Sequence, residues 1–364
     1  MSTITYKCPS CAGRLEFDSS LQTMKCPYCD SVYDVSELER IDDVLDALPP
    51  NPSQRVDWVM PSQSWTEDEQ EGMFVYTCST CAGAIVSDET LGTTSCPYCG
   101  NPVVITERFS GYLKPDLVLP FYLTKNDAKE ALLRHYKGKP FLPKNFTDLN
   151  RIDEIKGVYA PFWLFDSVVD ADAVYNCTRV RNYSDNKYRY TETRYYTVNR
   201  AGTIEFVHVP VDGSFRLADD LMESIEPFDY TQLVPFQTAY LAGYSANIYD
   251  VSADFALLRA QERMRSTAED VVSSSINGYS TVSKQEIKFA FLNAHCYYAL
   301  LPVWMLSSTH EGKVYSFAMN GQTGRLVGDL PVDKSVMLAS FAKIAAIILA
   351  LVLVASFALG WMGG

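Results

Sequence analysis

Positive charge is what this sequence is short of. Lys and Arg total 31 against 44 Asp and Glu, a net charge of −13 over 364 residues. Binding to a phosphate backbone rests on clustered Lys and Arg, so the balance argues against nucleic acid as the main partner. Histidine is scarcer still. His135, His208, His295 and His310 are scattered without the spacing of a metal site or of a base beside a nucleophile, and His295-Cys296 alone is a weak metal hint. Gly321-Gln322-Thr323-Gly324 lacks the lysine of a phosphate-binding loop, and Gly243-Tyr244-Ser245 lacks the second glycine of a nucleophile elbow. The opening residues, MSTITYKCPS, hold no apolar stretch of the secretory kind. Together these absences point away from an enzyme.

What is present begins with cysteine. Eight of the ten cysteines form two blocks, Cys8, Cys11, Cys26, Cys29 and Cys78, Cys81, Cys96, Cys99, each reading C-x2-C-x14-C-x2-C. The second block is the first moved by 70 positions, and Tyr6/Tyr76, Gly13/Gly83, Asp18/Asp88 and Leu21/Leu91 recur at that offset, which marks an internal duplication. Two residues between cysteines let one tight turn aim both sulfurs at a single ion, with Zn–S distances near ~2.3 Å. The intervening residues supply a hairpin that brings a second such turn across. Two Cys-x-x-Cys pairs in register do not suit a thioredoxin-like dithiol, and disulfides do not suit the cytoplasmic placement expected below. The expectation is two zinc ribbons, one Zn2+ each, with iron open as the alternative metal. Four thiolates leave no open position, so the sites are expected to be structural. Residues 1–110 carry six positive side chains against 17 Asp and Glu, which favours protein partners for the ribbons. Cys177 and Cys296 sit in strand-like sequence and are expected in the core.

From Ile344 to Trp361 the letters carry no charge, and at ~1.5 Å per residue the run spans roughly 27 Å, the depth of a bilayer core. Arg325, Lys334 and Lys343 precede it and no charged side chain follows, so the expectation is a single-pass tail anchor in the inner or plasma membrane, with a cytoplasmic body and contact with membrane lipid. Ser356 and Gly360 have a small-xxx-small spacing that leaves oligomerisation open.

Between ribbons and anchor, 23 Tyr and 18 Phe in the whole chain fit β-rich structure. Helices are expected at Lys125–Lys137, closed by Gly138, and at Ser252–Val272. Ala160-Pro161-Phe162-Trp163-Leu164 and Leu301-Pro302-Val303-Trp304-Met305 share P-x-W, and Pro120-Phe121 and Pro235-Phe236 precede them, a second and weaker duplication. Turns are expected at Asn182–Asn186, Asn199–Gly202 and Asn320-Gly321. Between Arg179 and Arg200, six cations face only Asp185 and Glu192, so this hairpin either touches anionic headgroups or an acidic partner, or is a solvated edge guarded by charge. The expected organisation is ribbon 1 (1–35), a helix and linker (36–73), ribbon 2 (74–110), a central domain (111–335, halves about 111–225 and 226–335) and a transmembrane helix (336–362). The expected fold class is two small duplicated β zinc ribbons, an α+β central domain of two related helix-on-antiparallel-sheet units, and one C-terminal transmembrane helix.

The duplicated ribbons, APFWLFD (Ala160–Asp166) and LPVWML…GKVYSFAMNGQTGRLVGDLP (Leu301–Pro331) resemble a bacterial YdjG-like family of zinc-ribbon membrane proteins, labelled transcription-factor-IIB type. The resemblance implies a non-enzymatic, membrane-anchored adaptor that recruits cytoplasmic proteins, with phage-shock-protein-A-like and SPFH-domain proteins as partners in a membrane-stress system. The alternative is a membrane-tethered nucleic-acid-binding or transcriptional regulator.

Overall fold

The computed structural model describes residues 15–18, 23–25, 32–34, 57–81, 83–88, 95–143, 146, 152, 154–215, 219–310 and 313–362. A small antiparallel sheet comes first, from β1 (Glu16–Asp18), β2 (Thr23–Lys25) and β3 (Val32–Tyr33). The acidic turn of helix α1 (Glu67–Gln70) follows, then β4 (Met73–Cys78), β5 (Ala84–Asp88), β6 (Val103–Arg108) and β7 (Leu117–Val118). Helix α2 (Lys125–Tyr136) precedes the long hairpin of β8 (Lys156–Ser184) and β9 (Arg189–Asp212). Then come α3 (Asp219–Ile225), β10 (Val234–Pro235), β11 (Ser245–Asn247), α4 (Ala253–Ser274), β12 (Thr281–His310), β13 (Lys313–Asn320), β14 (Leu326–Gly328) and α5 (Lys334–Met362).

Strands β4 to β14 form one sheet of 11 strands. It is mixed: β11 runs parallel to β8 and β7 parallel to β12, while the long β9–β8–β12 core is antiparallel. The fold class expected from the sequence is therefore corrected. The chain is mostly β, and the central region is not two separate helix-on-antiparallel-sheet units.

The reason is that the repeated motifs pair with each other. Ala160 in β8 lies opposite Leu301 in β12, and Trp304 lies opposite Gly157. The strands at the Pro-Phe segments pair as well: Pro235 of β10 lies opposite Leu117 of β7, just before Pro120-Phe121. Trp163 donates its indole N–H to the Val251 carbonyl (2.9 Å), just before Ser252, the N-cap of α4. Trp304 does the same to Leu123 (3.1 Å), just before Thr124, the N-cap of α2. Each tryptophan thus holds the entry of the helix in the other half, and the two halves interlock.

The helices lie where their caps are. Thr124 and Asp127 form a reciprocal capping box, and Gly138 (φ +79°) takes the left-handed position after α2 that a Cβ disfavours. Ser252 accepts from the Phe255 N–H at the start of α4. Between Arg179 and Gly202 the turns fall differently from expectation. The first sits at 185–188, where the Asp185 carboxylate accepts the N–H groups of Lys187 (2.8 Å) and Tyr188 (2.7 Å). At Asn199–Gly202 no turn forms. β9 runs straight through, because Ala201 and Gly202 pair with Asp172 and Ala171 of β8, and that ladder overrides the local turn preference.

Burial along β8 changes character partway. Val158 to Phe165 are all buried, and from Asp166 to Cys177 burial alternates. At the junction both neighbours of β8 carry extra residues: Phe206 and Val209 flank the irregularity in β9, and Leu292 and His295 that in β12. His208 (φ +55°) and Asn293 (φ +51°) take left-handed conformations there. The Asp166 carboxylate accepts the His208 backbone N–H (2.6 Å) and faces its ring Nδ1 at 3.0 Å, holding the bulge. Beyond it, α4 covers one face with Ala256, Ala260, Met264, Ala268 and Val272, a stripe with a four-residue period.

Helix α5 is continuous from Lys334 to Met362, and its side chains are described from Lys334 to Leu349 and at Leu351 and Val352. Over that part Lys334, Ser335, Ser340 and Lys343 interrupt the apolar run. Among the described residues no helix is long and apolar enough to cross a membrane. The expected transmembrane helix at 336–362, the tail anchor and the single-pass membrane localisation are corrected on that finding.

Candidate metal centre

Two knuckles build the site. In the first, β4 ends at Cys78 and the chain turns so that the Cys78 N–H donates to the Gly83 carbonyl (3.0 Å), placing Cys81 beside Cys78. In the second, the Cys96 N–H donates to Asn101 (2.7 Å) and the Gly100 N–H returns to Cys96 (2.9 Å), with Gly100 at φ +74°. The knuckles lock together through Tyr98. A Cβ at Gly83 would lie 2.9 Å from the Tyr98 ring, so only glycine fits there.

The result is four free thiols whose sulfurs all lie within 4.8 Å of one another. Cys78 Sγ and Cys99 Sγ are 3.5 Å apart, and Cys81 Sγ and Cys96 Sγ 3.6 Å. A tetrahedron with metal–sulfur bonds of ~2.3 Å has edges of roughly 3.8 Å, so the set fits a tetrahedral ion. Cys78 and Cys96 are buried, Cys81 and Cys99 half-buried.

The electrostatics ask for a cation. The Cys81 thiol is pushed up, first by its hydrogen bond with Cys96 and then by burial, and burial pushes Cys99 up. Crowded thiolates repel one another, and a divalent ion among them is the charge that lets all four ionise. Surrounding groups orient the ligands. The Asn101 amide donates to Cys99 Sγ at 3.4 Å. Ser307 on β12 donates to the carbonyls of Pro97 (2.9 Å) and Tyr98 (2.6 Å), which docks the second knuckle on the central sheet. Lys156, at the start of β8, donates to Ser95 Oγ (2.7 Å) and its carbonyl. Burial lowers the pKa of that ammonium, and the Cys96 charge opposes the shift.

Of the expected ligands, the structure brings together Cys78, Cys81, Cys96 and Cys99. Cys8, Cys11, Cys26 and Cys29 lie outside the described residues. Among the described residues there is one four-cysteine cluster rather than two ribbons' worth, and the expectation of two zinc sites is corrected to that one. The strands flanking the first block nonetheless repeat those of the second. Lys25 pairs with Val32, and Ser95 bridges Pro102 at the 70-residue offset. Cys177 and Cys296 are buried in the core. Ser307 and Lys156 escaped the sequence reading because they lie far along the chain. Asn101, directly after a knuckle glycine, carried a local signal.

No protein-family model matches the chain, and no solved structure matches it. Over 342 residues, 94% of this chain and 94% of the relative, it is 33% identical to the uncharacterized protein YdjG of Bacillus subtilis (strain 168).

Proposed function

The chain belongs to the YdjG family, and from that premise we propose that it is a non-enzymatic adaptor built on zinc ribbons of the transcription-factor-IIB type. The observation that carries the reading is the closed cluster. Cys78, Cys81, Cys96 and Cys99 supply all four corners of a tetrahedron, so an ion held there has no position left for water or substrate. Such an ion braces a fold.

The docking side of ribbon 2 is β6. Among the described residues it pairs with β4 alone, and Val104 and Ile105 on it are 56% and 55% exposed. An unpaired edge with apolar side chains, on a ribbon region rich in Asp and Glu, suits a protein partner with a basic rim. Phage-shock-protein-A-like and SPFH-domain proteins, implied by the family resemblance, are the partners to look for. The test is affinity purification of the full chain with mass spectrometry and metal analysis. One zinc equivalent, held by Cys78, Cys81, Cys96 and Cys99, is expected. Val104→Asp with Ile105→Asp should lose the partners while zinc is retained. If those variants and Cys→Ser changes in the ribbons recover the same partners as the unaltered chain, the adaptor reading fails.

A further inference from the structure

The far end of the β8–β9 hairpin has no role in the reading above. β12 reaches only as far as Thr281, opposite Thr178, and α4 has ended at Ser274. Past that level the hairpin is a two-stranded ribbon with both faces bare. It is also the most basic stretch of an acidic chain, with Arg179, Arg181, Lys187, Arg189 and Arg194 against two carboxylates. Both carboxylates are already engaged. Asp185 holds the turn and accepts the Tyr190 hydroxyl (3.0 Å), while Glu192 pairs with Arg194 (2.6 Å). Arg179, Arg181, Lys187 and Arg189 have no carboxylate partner among the described residues.

The arginines are pre-oriented. Arg179 lies over the rings of Tyr279 (5.0 Å to the centroid) and Tyr196 (5.5 Å), and Arg181 over Tyr183 (5.7 Å). A guanidinium laid flat on a ring keeps its N–H groups at the edge; Arg179 donates its Nε–H to the Gly278 carbonyl (2.9 Å), which leaves its terminal NH2 groups and the fork of Arg181 to grip a carboxylate. Residues 179 and 181 share one face of β8, about 7 Å apart along the strand. Alternate side chains of an extended peptide repeat at the same distance. Tyr183 stacks on Tyr190 (5.2 Å, 17°) and Tyr188 meets Tyr190 edge-on, while Tyr195 is 81% exposed, so nucleic acid is the competitor that the experiment must separate from a peptide.

We propose that this tip is a docking surface for an extended acidic polypeptide segment, with carboxylates at alternate positions seated on Arg179 and Arg181. It lies apart from the cysteine cluster and from β6, so it stands independently of the ribbon reading. The experiment is fluorescence anisotropy of a labelled peptide of alternating Glu and Ser, titrated with the full-length protein at low and at physiological salt. Binding that weakens with salt is expected, with Arg179→Ala/Arg181→Ala weakening it by about tenfold or more at an unchanged thermal midpoint. Arg179→Lys/Arg181→Lys keeps the charge and loses the fork, and should recover only part of that loss. The proposal is overturned by an absence of binding at low salt, by an unchanged affinity in the double variant, or by full recovery with lysine. Tighter binding of an oligouridylate or of phosphatidylglycerol vesicles than of the peptide also overturns it. Failure here would leave the cysteine and β6 variants, and the ribbon reading they test, untouched.

Discussion

The two ends of β8 obey different rules. At the base, Val158 to Phe165 lie against β12, with the cysteine knuckles and α3 on one side and the approach to α4 on the other, and every residue is buried. Beyond the bulge at Asp166 the same strand alternates, with small residues under α4 and Asp170, Asp172 and Asn176 turned outward. A strand covered on both faces reads as a continuous apolar run, and one covered on a single face reads with period two. One strand of 29 residues, roughly 90 Å at ~3.3 Å per residue, therefore joins a two-sided core to a one-sided blade. The base can brace a metal site rigidly. The blade carries an exposed basic tip far from it.

This contrast can be broken most severely at the base. Cys96→Ser should remove one zinc equivalent by metal analysis and cost on the order of 5 kcal/mol in denaturant unfolding, a fraction of what structural zinc contributes in finger peptides. Hydrogen exchange across Val169–Cys177 should survive that change; simultaneous loss of protection there would mean base and blade are one cooperative unit. Met264→Ala attacks the other side. Met264 is fully buried between α4 and the sheet, so a loss of about 2–4 kcal/mol is expected, read as faster exchange in the blade with zinc content unchanged. A smaller effect follows Ser307→Ala, which removes the donor to the Pro97 carbonyl and leaves the Tyr98 carbonyl only the longer bond from Ser316 (3.4 Å). About 1–2 kcal/mol should be lost, together with faster zinc release to a chelator.

The smallest effect concerns pH. Burial raises the pKa of Glu226 above its ordinary value of 4.5, so the folded state binds this proton more tightly than the unfolded chain does. The native state therefore loses stability as pH rises from the ordinary value through the raised one. Glu226→Gln should raise the thermal midpoint at neutral pH, and the gain should vanish in acid below 4.5. A gain that persists in acid would assign the effect to packing rather than to charge.

Much of the local structure was legible before any coordinates. Helices α2 and α4 announced themselves through the closing Gly138 and the start at Ser252, because capping satisfies backbone groups within one turn, while the Thr124 cap of α2 emerged only in the structure. The ligands Cys78, Cys81, Cys96 and Cys99 were legible because tetrahedral geometry restricts the spacing within each knuckle. The turn expected at Asn199–Gly202 failed because its neighbours are strand residues of β8, which local letters do not reveal. The weak duplication was readable as Pro161-Phe162-Trp163 and Pro302-Val303-Trp304. Its consequence, two interlocked halves in one mixed sheet, was not.

By itself, then, the sequence determined the cysteine knuckles, the helix starts and the acidic balance of the chain, since each follows from interactions spanning a few residues or from composition alone. Tertiary structure decided that the second cysteine knuckle is stitched into the central sheet by Ser307 and Lys156, that Trp163 and Trp304 each secure the other half's helix, and that β8 changes from buried on both faces to buried on one. Those outcomes depend on partners far apart in the chain, and whether a residue is covered is a property of what packs over it, which its own neighbours in sequence do not encode.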